Sequence, residues 1–224
     1  LLQQKGISIG THILQLYNVF DDAFSSNAEE LKCEIDKVNE MYFAVLNDYI
    51  GQKMEEKIEL ARLQQDSVGG VLESAIVGLP SGIGEPFFDS LESVISHYLF
   101  SIGGIKGIEF GSGFSFANMY GSCANDAFRN EHGNVVTTTN HNGGINGGIS
   151  NGMPLVLRTV IKPTPSIFKT QNTINLDTME NDTLTLTGRH DPAIFHRARI
   201  VVDSMIALAL LDLCIQKYGE DWCL

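Results

Sequence analysis

Apolar residues recur at every second position in some parts of this chain and at every third or fourth in others, and the two rhythms alternate irregularly. In 7–17, Ile7, Ile9, Ile13, Leu14 and Leu16 read as a strand, with His12 in it as a structural residue. From 26 to 46 the rhythm is helical: Ala28, Leu31, Ile35, Val38 and Met41 share a face, and Asn27 suits the N-cap. A second helix is expected from Asp48, as its cap, to about Gln64, with Met54, Ile58 and Leu63 inward and Glu55, Glu56 and Glu59 on a solvated face. Val71 to Val77 reads as a strand. It is followed by Gly78-Leu79-Pro80-Ser81-Gly82-Ile83-Gly84-Glu85-Pro86, too rich in glycine and proline to be anything but an ordered loop. Asp89 is expected to cap a helix reaching Phe100, in which Leu91, Ile95 and Leu99 are spaced by four.

Beyond that helix, Ile105–Phe110 reads as a short strand, Phe114–Tyr120 as helical and Val135–Thr139 as β-structure. Leu155–Ile161, Asn172–Leu176 and Thr183–Thr187 alternate cleanly and predict antiparallel strands. The run from Ile200 to Ile215 is apolar but carries Asp203 and Asp212, which favours a buried helix over a membrane span. No internal repeat is visible, and the elements do not alternate as βαβ units. The expectation is a single domain, 1–224, of the α+β class in layers. Leu1–Gly6 reads as the closing turn of a helix with Gly6 as its left-handed cap, so the chain is expected to be the tail of something longer.

Composition narrows the partners. With 43% hydrophobic residues the chain can bury a sizeable core. Its net charge of −12 is uneven: residues 1–100 hold 6 Lys/Arg against 16 Asp/Glu, and residues 101–224 hold 9 against 11. The acidic half argues against nucleic acid or an anionic membrane as partner. The second half has cations enough for an anionic small molecule. Cys33, Cys123, Cys214 and Cys223 lie far apart without a C-x-x-C pair or zinc-like histidine spacing, and are read as thiols of a cytoplasmic protein without a metal site.

The densest chemistry lies between Asn140 and Ser166. Gly143, Gly144, Gly147, Gly148 and Gly152 leave bare backbone, whose N–H groups can line an anion-binding concavity. The strand carrying Arg158 follows, and then Lys162-Pro163-Thr164-Pro165-Ser166. Downstream, Gly188-Arg189-His190-Asp191-Pro192 supplies a guanidinium that can fork onto a carboxylate or phosphate, with a carboxylate two residues on. In a dry pocket beside cations, Asp191 would be able to take or give a proton. The plainer reading is an Asp–Pro turn in which Asp191 caps the last helix and Arg189 joins a structural ion pair. Two motif matches are set aside. Gly148-Ile149-Ser150-Asn151-Gly152 fits the hydrolase elbow but lacks the strand before and the helix after it. Gly111-Ser112-Gly113-Phe114-Ser115-Phe116 has Phe where a dinucleotide fingerprint needs its third glycine, and reads as a buried helix start.

Taken together these stretches resemble the chorismate synthase family. The matching pieces are Asp66–Gly70, Leu79–Pro86, Lys106–Gly111, Gly121-Ser122 with Asn125-Asp126, Gly143–Gly152, Lys162–Ser166 and Gly188–Pro192, in the family's order and spacing. The resemblance implies a lyase that eliminates phosphate from 5-enolpyruvylshikimate 3-phosphate in aromatic amino acid biosynthesis. It implies reduced FMN as cofactor, with NADPH or a separate reductase supplying its electrons. It further implies helices sandwiched between antiparallel sheets in a homotetramer, a fold that this chain would supply only in part. By motif, Gly103, Gly104, Gly147, Lys162, Pro163, Thr164, Pro165, Ser166 and Arg189 correspond to flavin-contacting positions, and Asp191 to an aspartate that handles a proton near the flavin. The sequence departs from the family at Asn142 (usually Ala), at Asp203 (usually Glu) and at Gly103-Gly104, which replace a less flexible pair. The family's early Ser-His-Gly motif, its second catalytic histidine and its Arg-Ser-Ser-Ala-Arg loop have no counterpart here. The alternative is therefore an inactive remnant that binds FMN or another anion.

Overall fold

The computed structural model describes residues 1–223. Its centre is a five-stranded antiparallel sheet built from β1 (Ser8–Leu16), β2 (Val19–Phe20), β3 (Gly70–Val77), β4 (Ile105–Phe110) and a strand formed by Leu155–Ile161. Between β4 and Leu155 the chain makes two small hairpins, β5 (Phe128–Glu131) with β6 (Asn134–Thr137) and β7 (Ile145–Asn146) with β8 (Ile149–Ser150), so Leu155–Ile161 is β9. The sheet order is β2-β1-β3-β9-β4. A further hairpin joins β10 (Gln171–Asn175) to β11 (Glu180–Leu184). The helices are α1 (Ala28–Glu40), α2 (Asp48–Leu63), α3 (Leu91–Phe100), the single turn α4 (Gly121–Ala124) and the long α5 (Phe195–Tyr218).

Alternation places the layers. Along β9, Leu155, Leu157, Thr159 and Ile161 are buried, whereas Val156 and Arg158 are only partly covered and Val160 is exposed. The buried set joins Leu72 and Ile76 of β3 and faces α3 and α5, through Leu91, Ile95, Leu99, Val202, Ile206 and Leu210. Ala75 and Val77 point the other way and meet Leu31 and Ile35 of α1. A Cβ at Gly10 would lie 2.9 Å from Ile35 Cγ2 and 3.2 Å from its Cα, so a glycine there lets α1 approach the sheet. The α+β layered expectation holds, with α1 on one face and α3 and α5 on the other. Among the described residues no helix is long and apolar enough to cross a membrane.

Several element ends differ from expectation. The first helix stops at Glu40 rather than running to 46. The buried backbone at Ala44 accepts a hydrogen bond from Ile13 N (2.9 Å), and Asp21 collects Leu46 N (2.6 Å) and Asn47 N (3.1 Å). These tertiary partners replace the helical ones. Asn47, not Asp48, caps α2, and Ser90, not Asp89, caps α3. In α2 the inward positions are Gly51, Met54 and Ala61, while Leu63 is 65% exposed. Phe114–Tyr120 is replaced by 3-10 turns over Gly113–Asn118, and Phe114 is 85% exposed, so this is no buried helix start. β11 begins three residues early, because Asn175 Oδ1 accepts from Asp177 N and Thr178 N and turns the chain there.

A buried polar cluster crosses the sheet. His12 is fully buried, 3.1 Å from Glu73 Oε2 and 3.4 Å from Asp21 Oδ2. Glu73 Oε1 accepts from Arg158 Nε (2.9 Å), and Arg158 Nη1 reaches Glu109 (3.2 Å). Burial works against a charged imidazole, but the hydrogen bonds and charges of Asp21 and Glu73 outweigh it and raise the His12 pKa above its usual 6.5. Burial alone would raise Glu73, yet His12, the Phe24 N–H and Arg158 hold its carboxyl below the usual 4.5. A raised pKa contributes stability that is fully present below 6.5 and is lost as pH climbs through the folded-state value. Glu73 contributes in the opposite sense, above 4.5, and its share fades as pH falls through its lowered value. Urea midpoints measured from about pH 6 to about pH 9 are expected to drop for the wild type and to stay flat, at a lower level, for His12→Gln. An identical slope in both proteins would place the titration elsewhere.

Candidate functional site

The pairing of β3 with β9 sets Gly70 opposite Ile161 and Ile76 opposite Leu155, so each end of this pair gathers a different group of loops. At the Leu155 end lies the glycine-rich stretch. Gly147 (φ 61°) and Gly148 (φ 84°) form the two-residue turn of the β7–β8 hairpin, which needs positive φ at both positions. The stretch is less of an anion cradle than its composition suggests. Gly143 N donates to Asn140 O (3.1 Å), Gly144 N to Asn140 Oδ1 (2.8 Å), and Ser150 N to Ile83 O (2.9 Å). A Cβ at Gly144 would lie 2.6 Å from Pro154 O, and one at Gly143 would lie 2.5 Å from Gly111 N. Most of these glycines pack against the protein's own backbone. Gly147 alone of this group has nothing within 4 Å of its Cβ position.

Two side chains to which the sequence reading gave no structural role hold this knot. Asp126 is 5% exposed; its Oδ1 accepts from His141 N and Thr139 Oγ1 (both 2.7 Å) and its Oδ2 from Asn142 N (2.8 Å). Burial would raise its pKa, but these donors outweigh it and hold the carboxyl below its usual 3.8. Ser150, in the hydrolase-like motif, donates to Pro80 O (2.6 Å) and accepts from Ile83 N (2.9 Å). Its hydroxyl ties the Leu79–Pro86 loop to the glycine stretch, and it is 4% exposed.

At the Ile161 end, four loops converge. Lys162 N donates to Gly104 O (2.9 Å), which sets Gly103-Gly104 beside Lys162–Ser166. Ser67 Oγ donates to Thr164 O (2.6 Å), and a Cβ at Gly69 would lie 2.8 Å from Pro163 Cδ. Lys169 pairs with Asp66 (2.6 Å), whose pKa is lowered by that bond and by the Ser67 N–H. The Arg189–Pro192 loop joins through Val68 N to Pro192 O (2.9 Å) and through His190, which stands edge-on to Phe168 with centroids 4.6 Å apart. The His190 Nε2 is buried without a hydrogen-bond partner. Phe195, at the start of α5, packs on Gly70 and anchors that loop from below.

Two cations at this corner are left without partners. Lys162 and Arg189 are exposed, and neither side chain makes a hydrogen bond or ion pair among the described residues. The other arginines all have acidic partners: Arg62 with Glu59, Arg129 with Glu131, Arg158 with Glu73 and Glu109, Arg197 with Asp191, and Arg199 with Asp203. The corner does not contain Asp191 as a buried acid. Its side chain is 36% exposed and hydrogen-bonds Arg197, so it neither caps α5 nor pairs with Arg189. The cavity touching the corner measures about 20 Å³, far below the roughly 300–1,000 Å³ of a small-molecule pocket. The described residues form an open wall there. Gly147 lies at the opposite end of β9, a strand of seven residues that spans roughly 23 Å, so the structure does not bring it beside Lys162.

Comparison with known proteins follows the same pieces. The family model described as "Chorismate synthase" matches residues 1–215. A chorismate synthase of Methanocella arvoryzae is 42% identical over 212 residues, which cover 95% of this chain and 56% of that protein. One of Methanobrevibacter smithii is 39% identical over 217 residues, 97% of this chain and 58% of the relative. A crystal structure of chorismate synthase superposes with a TM-score of 0.80 at 25% identity, covering 97% of this chain and 60% of that one. The chain thus spans a little under three-fifths of the length of these curated relatives.

If Ser150 is a structural tie, Ser150→Ala should lower stability by about 1–3 kcal/mol, the cost of leaving buried polar groups unmatched. A fluorophosphonate probe should leave Ser150 of the wild type unlabelled. Labelling at Ser150 would restore the nucleophile reading.

Proposed function

The chain belongs to the chorismate synthase family, and we propose that its protein carries out that family's reaction, converting 5-enolpyruvylshikimate 3-phosphate to chorismate and phosphate with reduced FMN. One carbon–oxygen bond to phosphate and one ring carbon–hydrogen bond break while a second ring double bond forms, so the elimination has no net redox change. Reduced FMN, when bound, would lend an electron that eases phosphate departure and recover it as the ring hydrogen leaves.

The observation that carries this reading is the pair of unmatched cations, Lys162 and Arg189, at a corner lined by backbone of Gly103, Gly104 and Pro163–Ser166. Two exposed cations that spend no charge on an ion pair within the described residues remain available to an anion from outside. Both the substrate and the flavin are phosphorylated, so the donor set fits them. Gly103 and Gly104 leave the approach to the backbone open: nothing stands within 4 Å of a Cβ at Gly103. We assign Lys162 and Arg189 to anionic groups, Gly103, Gly104, Pro163, Thr164, Pro165 and Ser166 to the flavin, and Asp191 to the proton. Gly147 would join the flavin through a surface beyond this corner. A second reading, in which these 224 residues bind flavin or another anion without turnover, is favoured by the shallowness of the corner.

Anaerobic incubation of the full-length protein with reduced FMN and substrate should release chorismate and phosphate in equal amounts. Absence of both products, where an established chorismate synthase yields them, would refute the assignment. Arg189→Ala should cost roughly 10²–10³ in kcat, the scale of losing one charge-stabilising donor. Because its side chain is exposed and makes no hydrogen bond or ion pair among the described residues, the melting temperature should stay within about 2 °C. A variant that unfolds would instead make Arg189 a structural residue.

A further inference from the structure

Arg197 is the third residue of α5, and its presence there is a local conflict. The first turn of a helix presents unpaired N–H groups and the positive end of the macrodipole, which disfavours a cation. This turn has no acidic residue and no side-chain cap. The one carboxylate that answers Arg197 comes from outside the helix, from Asp191, whose Oδ2 accepts from Arg197 Nη2. The pair contributes little to holding the fold, because its side chains are 59% and 36% exposed and water screens such pairs. Meanwhile Arg189, two residues from Asp191, makes no hydrogen bond or ion pair with it.

We propose that Arg197 is a positioning residue for Asp191. It fixes the carboxylate of the Asp–Pro loop to the first turn of a long helix and thereby leaves Arg189 free for the anionic ligand. A cation in an unfavourable place that serves no packing role is the kind of local inconsistency that marks function rather than stability. The division of labour needs two guanidiniums because one fork cannot both hold Asp191 and grip a phosphate or carboxylate. Neighbouring His196 makes no hydrogen bond to the carboxylate; its ring lies against Tyr42 with centroids 5.0 Å apart, and the charge of Asp191 is the smallest of the influences on it. Its pKa is lowered, first by burial and then by the charge of Arg197, so it stays neutral above its usual 6.5.

This inference rests on the assignment of Asp191 to the proton, and its test separates the two. In the full-length protein, Arg197→Gln should lower kcat at least tenfold, with the FMN dissociation constant changed by less than about twofold. Arg197→Lys should recover much of the loss. In an Asp191→Asn background, Arg197→Gln should cost nothing further, because both act through one group. Crystals of the ligand-free proteins give a readout independent of turnover: the Asp191 carboxylate should leave its place in Arg197→Gln and keep it in Arg197→Lys. Full activity of Arg197→Gln, or additive losses in the double variant, would overturn the proposal while leaving the reaction intact. Full activity of Asp191→Asn would instead remove the proton assignment on which it stands.

Discussion

The register between Gly70–Ile76 and Leu155–Ile161 is the constraint on which the rest depends. Residues some ninety apart in sequence pair strand to strand, and a slip by one position would turn Leu155, Leu157 and Ile161 away from α3 and α5. Two things fix it. The apolar alternation selects which face is inward, and the Glu73–Arg158–Glu109 ladder, backed by buried His12, selects which residues stand side by side. Once the register is set, the glycine knot must collect at the Leu155 end and the loops 66–69, 103–104, 162–166 and 188–192 at the Ile161 end.

Those two ends do different work. At the first, glycines allow backbone to press on backbone, and Asp126 and Ser150 supply the hydrogen bonds that tie the loops together. At the second, the amide of Lys162 donates to Gly104, while its ammonium and the Arg189 guanidinium make no ion pair among the described residues. The separation explains how one short stretch, Asn140–Ser166, can contribute both a structural knot and the wall to which we assign the ligand. It also limits what the corner does by itself, since the described residues enclose almost no volume there.

Much of this was legible from residue order. β9 follows from alternation, because one of its faces meets a core, whereas β3 is buried on both faces and shows as a short apolar run; Asn27 announces α1 by its cap. The errors fall where tertiary partners outbid local preference. Helix α1 ends early because Asp21 and Ile13 take the next backbone groups. Of the β5–β6 hairpin only the second strand was expected, as Val135–Thr139; β5 passed unpredicted, although His132-Gly133, both at positive φ, was a usable turn signal. The β10–β11 boundaries slipped because most of both strands is exposed and nothing buried marks their phase. At the site, motif order grouped Lys162–Ser166 with the Arg189–Pro192 loop, and the two loops meet through Val68 N to Pro192 O and the Phe168–His190 ring contact. It could not show that Asp191 turns to Arg197, since which of three nearby arginines answers an acid is decided by the packing of α5 and not by spacing.

The central claim is that the unmatched charge at this corner exists to receive an anionic, phosphorylated ligand. Fluorescence-quenching titration of FMN into the full-length protein carrying Lys162→Gln tests it most directly, with Lys57→Gln, on α2 away from this corner, as control. The account predicts a dissociation constant at least tenfold higher for Lys162→Gln and unchanged for Lys57→Gln; equal affinity in the wild type and Lys162→Gln would contradict it.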